Sequence, residues 1–263
     1  MSPPCLSRMG RWYRRHEGFL LGVGGLAGLG SAWELAARMG AIDQVVLASP
    51  SRVGEALARQ WRSGELAADL LTSGAAFALA FALALVVGTA LGLLIGLARD
   101  VESTLLPLVW FLYSAPLVVF QPLLMVWLGF GFRPVVALAA SLAALPITVN
   151  THAAVRAPDP TLLRVIRAFG GRRRDELVKV VLPAALPLVL AGFRIGAGRA
   201  LVGIVVGEMF GANAGLGYRL AFYGARLRAP DVLAPVLLVM ALGLLATQGI
   251  RLLEGRSRRA RGA

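Results

Sequence analysis

The chain has 263 residues, 57% of them hydrophobic and 16% charged, with a mean hydropathy of +0.72 and a formal net charge of +13. A soluble domain cannot hide that much apolar surface, so the composition predicts a polytopic membrane protein. All but one of the 27 basic residues are arginine, and they flank long apolar runs, which favours membrane topology over nucleic-acid binding. The single cysteine, Cys5, excludes an intramolecular disulfide and a multi-cysteine metal cage.

Residues 1–18 form a basic tail carrying Arg8, Arg11, Arg14 and Arg15. The apolar run that follows is long for a signal-peptide core. Glu34 and Arg38 also occupy the place of a small-residue cleavage site, so an uncleaved first span is the reading. About 20 apolar residues are needed to cross a hydrocarbon core of roughly 30 Å. Six segments qualify: 19–37, 72–98, 105–130, 134–154, 184–210 and 232–253. All are rich in Leu, Ala, Val and Gly, which predicts helices and not the short alternating segments of barrel strands. The fold class expected is therefore all-α, with about six transmembrane helices in one membrane body over 19–253 and a second basic tail over 254–263.

Two connecting segments carry pattern of their own. In 51–71, Val53, Leu57, Trp61, Leu66 and Leu70 alternate with Arg and Glu, which fits one or two short amphipathic helices at the interface. In 211–231, Gly215-Leu216-Gly217-Tyr218 reads as a re-entrant turn or a short helix. Gly88, Gly92 and Gly96 permit close helix contacts, a weak signal by itself. With six spans, seventeen basic residues fall on the side of the two termini and eight on the other. The positive-inside rule then places both termini and the loop 158–183 in the cytoplasm.

That loop is the densest pattern in the chain. Asp159-Pro160 is a helix start, since Asp can cap and Pro suits the first helical position. Leu162, Ile166 and Phe169 follow on one helical face with Leu163 beside them, while Arg164 and Arg167 fall elsewhere. Gly170-Gly171 supplies a stop and a bend. A second helix is expected over 172–181, with Pro183 as its boundary. Two short helices with one apolar face fit either a groove on a partner or a solvated connector.

The spacing resembles the cytoplasmic signature of ABC-transporter permease subunits of the binding-protein-dependent importer class: Glu-Ala-Ala, three residues, Gly, nine residues, Ile, any residue, Leu-Pro. Here Gly170 is followed by nine residues and then by Val180-Val181-Leu182-Pro183. Arg164-Val165-Ile166 stands in the Glu-Ala-Ala place, so the carboxylate of the signature is replaced by Arg164. Trp33-Glu34-Leu35, Ser49-Pro50-Ser51, Ser63-Gly64-Glu65-Leu66, Leu182-Pro183-Ala184-Ala185-Leu186-Pro187, Gly207-Glu208-Met209 and Gly215–Tyr218, in this order, are similar to the nitrate/sulfonate/taurine-type branch.

The resemblance implies two permease subunits forming a pathway, two ATP-binding subunits beneath them, and a periplasmic or lipid-anchored solute-binding protein. It implies a bacterial inner-membrane location and a small anionic solute such as a sulfonate, taurine or nitrate. It also implies ATPase coupling through Leu162, Leu163, Arg164, Ile166, Arg167, Phe169, Gly170, Gly171, Arg172, Leu182 and Pro183. The sequence has no Gly-x-x-x-x-Gly-Lys-Ser/Thr phosphate cradle, so ATP and Mg are expected in the partner subunit and no cofactor on this chain.

Polar residues inside spans are the remaining candidates. Gln121, Asn150 and Glu208 are candidates for the solute pathway. Glu208 could instead pair with an arginine such as Arg219, and Gln121 and Asn150 could join helices. Arg194 and Arg199, within the fifth span, either attract an anion or pair inside the bundle. Two histidines and no close acidic pair argue against a metal hydrolase. Ser141 and His152 lie about three helical turns apart, too far for a nucleophile and its base. The competing class is a self-contained ion-coupled carrier using Glu208 and the membrane arginines.

Overall fold

The computed structural model describes residues 21–22, 24–25, 27–39 and 48–259. Helix is the only extended secondary structure among them. Helix α1 covers the described residues between 21 and 38 and is followed by α2 (Pro50–Arg62), α3 (Glu65–Leu97) and α4 (Arg99–Ser114). A 3₁₀ turn (Leu117–Phe120) leads into α5 (Gln121–Leu128) and α6 (Phe132–Arg156). Then come α7 (Pro160–Ala168), α8 (Arg173–Glu176), a π turn (Leu177–Val181), α9 (Leu182–Gly211), α10 (Leu216–Gly224) and α11 (Ala229–Arg259). The basic tail expected over 1–18 and the start of the first span lie outside the described residues, and helix α11 continues to Arg259 into the segment read as the second tail.

Four helical runs among the described residues are long and apolar enough to cross a membrane: Glu65–Leu97, Phe132–Arg156, Arg173–Gly211 and Ala229–Leu252. A fifth exists if Arg99–Ser114 and Leu117–Leu128 count together as one broken span. The third expected span, 105–130, is thus not one straight helix; it bends by 85° between its halves. Pro116 is the cause: it lacks an N–H and pushes Ala115 into extended backbone (φ −73°, ψ 141°). The second span starts earlier than expected, at Glu65, because Gly64 takes a left-handed conformation (φ 78°) that turns the chain out of α2 directly into α3. The amphipathic segment 51–71 thus begins with a single short helix, α2, before α3 starts. The buried stripe of α2 is Val53, Ala56 and Gln60, not the Trp61 side, which is half-exposed.

The body is built on α6, held between α3 and α9. Small residues explain the closeness. On α3, Ala76, Ala80, Ala84, Gly88, Gly92 and Gly96 recur every four residues and are all buried. On α9, Gly192, Gly196, Gly203 and Gly207 face the other side of α6. A Cβ on Gly92 would lie 2.7 Å from the Thr148 carbonyl oxygen, and one on Gly203 2.5 Å from Ala139 Cα. These are backbone approaches that a side chain cannot relieve. In lipid, where the hydrophobic effect does not drive helices together, such close packing is itself a main source of attraction.

The second helix of the insert also differs from expectation. Its α-helical part is a single turn, α8, which passes through the π turn straight into α9, so Pro183 is no boundary. The Leu182 N–H bonds back to the Leu177 carbonyl, five residues earlier. The wider turn before Pro183 lets the helix pass a residue that cannot donate.

Gly92→Ala and Gly203→Ala are expected to overpack the seam and destabilise the protein by about 1–3 kcal/mol. Gly74→Ala, on α3 with nothing near its added Cβ, serves as the control. Thermal unfolding in detergent should show lowered midpoints for the first two and none for the third.

Candidate functional site

Two polar constructions occupy opposite ends of the α3–α6–α9 body. At one end is the insert. Asp159 caps α7, its Oδ1 accepting the Thr161 backbone N–H at 2.7 Å. That bond, with the Thr161 side chain, holds the Asp159 carboxyl below the usual carboxylate range. Helix α7 ends in a Schellman turn: the Gly171 N–H bonds the Ile166 carbonyl at 2.9 Å and the Gly170 N–H bonds that of Arg167 at 3.0 Å. Gly170 is left-handed (φ 77°), and a Cβ on Gly171 would collide with Ile166.

Arg167 then staples α7 to α8. Its Nε and Nη2 donate to the two oxygens of Glu176 at 2.7 and 3.0 Å, which raises its pKa further. Asp175 accepts the Arg172 backbone N–H at 3.0 Å and pairs with Lys179 at 2.8 Å. The three acids of the insert are therefore committed within it. Arg164, Arg172 and Arg174 form no ion pair among the described residues; Arg164 reaches only the Thr161 hydroxyl, at 3.3 Å.

The expected apolar face of α7 is present but divided. Leu163 and Ile166 are half-buried, whereas Leu162, Val165 and Phe169 are exposed, Phe169 by 88%. Val165 is a member that the sequence reading missed, although its place three residues after Leu162 and four before Phe169 signals it. Leu182 and Pro183 are not on this face. They begin α9, where Leu182 lines an apolar cleft of about 260 Å³ with Thr89, Leu93, Val155 and Val178.

At the opposite end, Glu208 is 2% exposed near the end of α9. Its carboxylate accepts the Ser73 hydroxyl at 2.8 and 2.9 Å and the Gly217 backbone N–H at 2.8 Å. The Ser73 oxygen in turn accepts the Leu216 N–H at 2.8 Å, and Asp69 accepts the Gly215 N–H at 2.8 Å. The first N–H groups of α10 are thereby satisfied by side chains of α3 and α9. Gly215 is required here: its φ is 112°, and a Cβ would lie within about 2.5 Å of both Glu208 oxygens.

The expected pairing of Glu208 with Arg219 does not form. Arg219 instead bonds Asp69 through Nε and Glu65 through Nη1, the latter at 2.9 Å. Burial works against the Arg219 charge, but the bond to Asp69 and the charges of Asp69 and Glu65 outweigh it and raise its pKa. Asp69, 3% exposed, was not singled out from the sequence because it sits in a segment that reads as amphipathic surface.

Gln121 belongs to the same end, on α5. It is 1% exposed, and its Nε2 donates to the Gly207 carbonyl at 3.3 Å. Asn150 is apart from both, in the α6–α9 seam, where its Nδ2 bonds the Pro146 carbonyl at 2.8 Å and its Cβ packs on Gly192. His152 meets Glu102 at 3.0 Å, and Arg156 pairs with the same carboxylate, tying α4 to α6 near the insert end.

Glu208→Ala would leave the Ser73 hydroxyl and the Gly217 N–H buried without an acceptor, a loss of about 1–3 kcal/mol for each group. The expected result is a lowered melting midpoint and faster proteolysis between 211 and 216. Glu208→Gln, which keeps one acceptor oxygen, should fall between Glu208→Ala and the parent.

Comparison with known proteins agrees with this architecture. The chain is 30% identical over 241 residues to a putative aliphatic sulfonates transport permease protein, SsuC, of Bacillus subtilis, covering 92% of this chain and 87% of that one. The Escherichia coli protein of the same description is 32% identical over 244 residues, covering 93% and 91%. The Escherichia coli taurine transport system permease protein TauC is 28% identical over 241 residues, covering 90% and 88%. Among solved structures, an inward-facing MetNI methionine ABC transporter chain aligns with TM-score 0.60 at 21% identity, covering 72% of this chain and 96% of that one, a likeness of fold. Residues 84–259 match the family described as binding-protein-dependent transport system inner membrane component, and this chain belongs to that family of ABC-transporter permeases.

Proposed function

We propose that this permease subunit forms the membrane pathway of an ATP-driven importer for a small organic anion of the sulfonate or taurine type, delivered by a solute-binding protein. In this reading the insert and both termini face the cytoplasm, as the seventeen-to-eight distribution of basic residues supports. A separate ATP-binding subunit binds ATP and Mg and seats the insert in a groove. Membership of the importer family favours ATP-driven import over the ion-coupled carrier. The solute class rests on the permeases named for aliphatic sulfonates and taurine.

The observation that carries the docking reading is Phe169, 88% exposed beside Leu162 and Val165 at the end of a helix capped by Asp159 and stapled by Arg167 to Glu176. An apolar face that stays uncovered on a stapled, capped helix fits a helix-in-groove contact. Arg164, where the signature has an acid, and Arg172 add positive charge at its rim, which suits an acidic groove lip. Gln121, Asn150 and Glu208 are proposed to brace the pathway from behind: the buried Gln121 and Glu208 bond to neighbouring helices, and half-buried Asn150 packs on Gly192 of α9.

Phe169→Asp is expected to leave folding intact and to abolish ATPase stimulation by solute-loaded binding protein. Gly170→Pro should do the same, because proline cannot take the left-handed turn. The assay is ATP hydrolysis and uptake by the reconstituted transporter; full stimulation with normal uptake in both variants overturns the docking role.

A further inference from the structure

We infer that Arg199, over the Tyr113 ring at the elbow of the broken α4–α5 span, is a mid-membrane contact for the anionic group of the solute. The inference rests on the importer reading above and assigns a charge-reading residue to its pathway.

Arg199 lies twelve residues from Gly211 and seventeen from Leu182, about 18 and 25 Å from the two ends of α9. Neither distance lets an arginine reach a headgroup by snorkelling. The other two elements beside it are also at mid-length: Leu142 and Pro146 on α6, and Tyr113, Ala115 and Leu117 at the elbow. The guanidinium sits 5.9 Å from the Tyr113 ring centroid. No carboxylate lies within ion-pair distance of it among the described residues.

The face that carries Arg199 is open. Ile195, Gly198, Arg199 and Val202 are all exposed along one side of α9. A cation at this depth is costly against lipid and is held where water or a counter-charge reaches it. The recess behind the guanidinium, at about 20 Å³, admits no solute, so an anion must approach from the open face. Broken helices meeting at mid-depth are where transporters place solute contacts, because irregular backbone at that depth is tolerated beside a wet cavity. A planar guanidinium presents two parallel donors to an oxyanion such as a sulfonate, and the aromatic ring beneath it limits its rotation.

The test uses the whole transporter in proteoliposomes, with its ATP-binding subunit and binding protein, and labelled taurine and ethanesulfonate as probes. Arg199→Gln should lower uptake by about tenfold or more, while ATPase stimulation by the loaded binding protein stays within about twofold. Arg199→Lys, which keeps the charge, should retain uptake within about threefold of the parent. Unchanged uptake by Arg199→Gln, with the parent active, overturns the inference alone. A parent that moves neither sulfonate overturns the solute reading and the ligand class together.

A second measurement does not depend on transport. Arg199→Cys, made with Cys5→Ser, should react with an anionic methanethiosulfonate reagent in membranes, and taurine in the presence of binding protein should slow the reaction. A thiol that resists the charged reagent both with and without ATP places Arg199 on a dry face and overturns the inference.

Discussion

The structure depends on how closely three helix backbones can approach. Helix α6 has side chains on both flanks, and α3 and α9 meet it with almost none: Ala76 through Gly96 on one side, Gly192 through Gly207 on the other. Each helix contributes what the other lacks, so Ile147 enters between Gly88 and Gly196 and Thr151 lies against Gly92. A membrane interior offers no extra reward for hiding leucine, and on α3 Leu71, Leu79, Leu83, Leu91 and Leu94 are exposed while the small residues are buried. Once α9 is fixed against α6, the positions of the insert at its start and of Glu208 near its end follow.

The two polar ends use charge differently. In the Glu208 cluster three acids, Glu65, Asp69 and Glu208, meet one cation, Arg219, and the surplus is absorbed by backbone N–H groups: Glu208 and Asp69 hold the start of α10 as a ligand would be held at a helix N-terminus. At the insert end the acids are spent on internal staples and arginines remain over. The first arrangement makes a rigid corner. The second makes a surface that is ordered in itself yet has unmet charge and apolar area pointing away from the body.

Much of this was legible from residue order. The insert's cap, its Gly-Gly stop and its apolar face follow from local chemistry, which short helices obey, and the structure has each of them. The family followed from motif spacing. Some failures concern residues whose roles are set by partners far along the chain. Gln60 counts as surface until Asp231, 171 positions later, accepts from it, and Asp69 reads as amphipathic until the α9–α10 turn folds over it. Hydropathy recorded 105–130 as one apolar stretch because composition carries no information on direction. Pro116 was the local signal for the 85° elbow, and it was outweighed by the apolar run around it.

The π turn before Pro183 has a mechanical consequence. Because the helix widens there and does not end, residues 173–211 behave as a single rod from the insert to the Glu208 corner. A 30-residue helix is about 45 Å long, so tilting it by about 5° at the root carries its tip sideways by about 4 Å. A displacement of that size exceeds the length of a hydrogen bond. A small rocking at the arginine-rich base would therefore reach the buried carboxylate at the tip as a choice between holding and releasing the α10 corner.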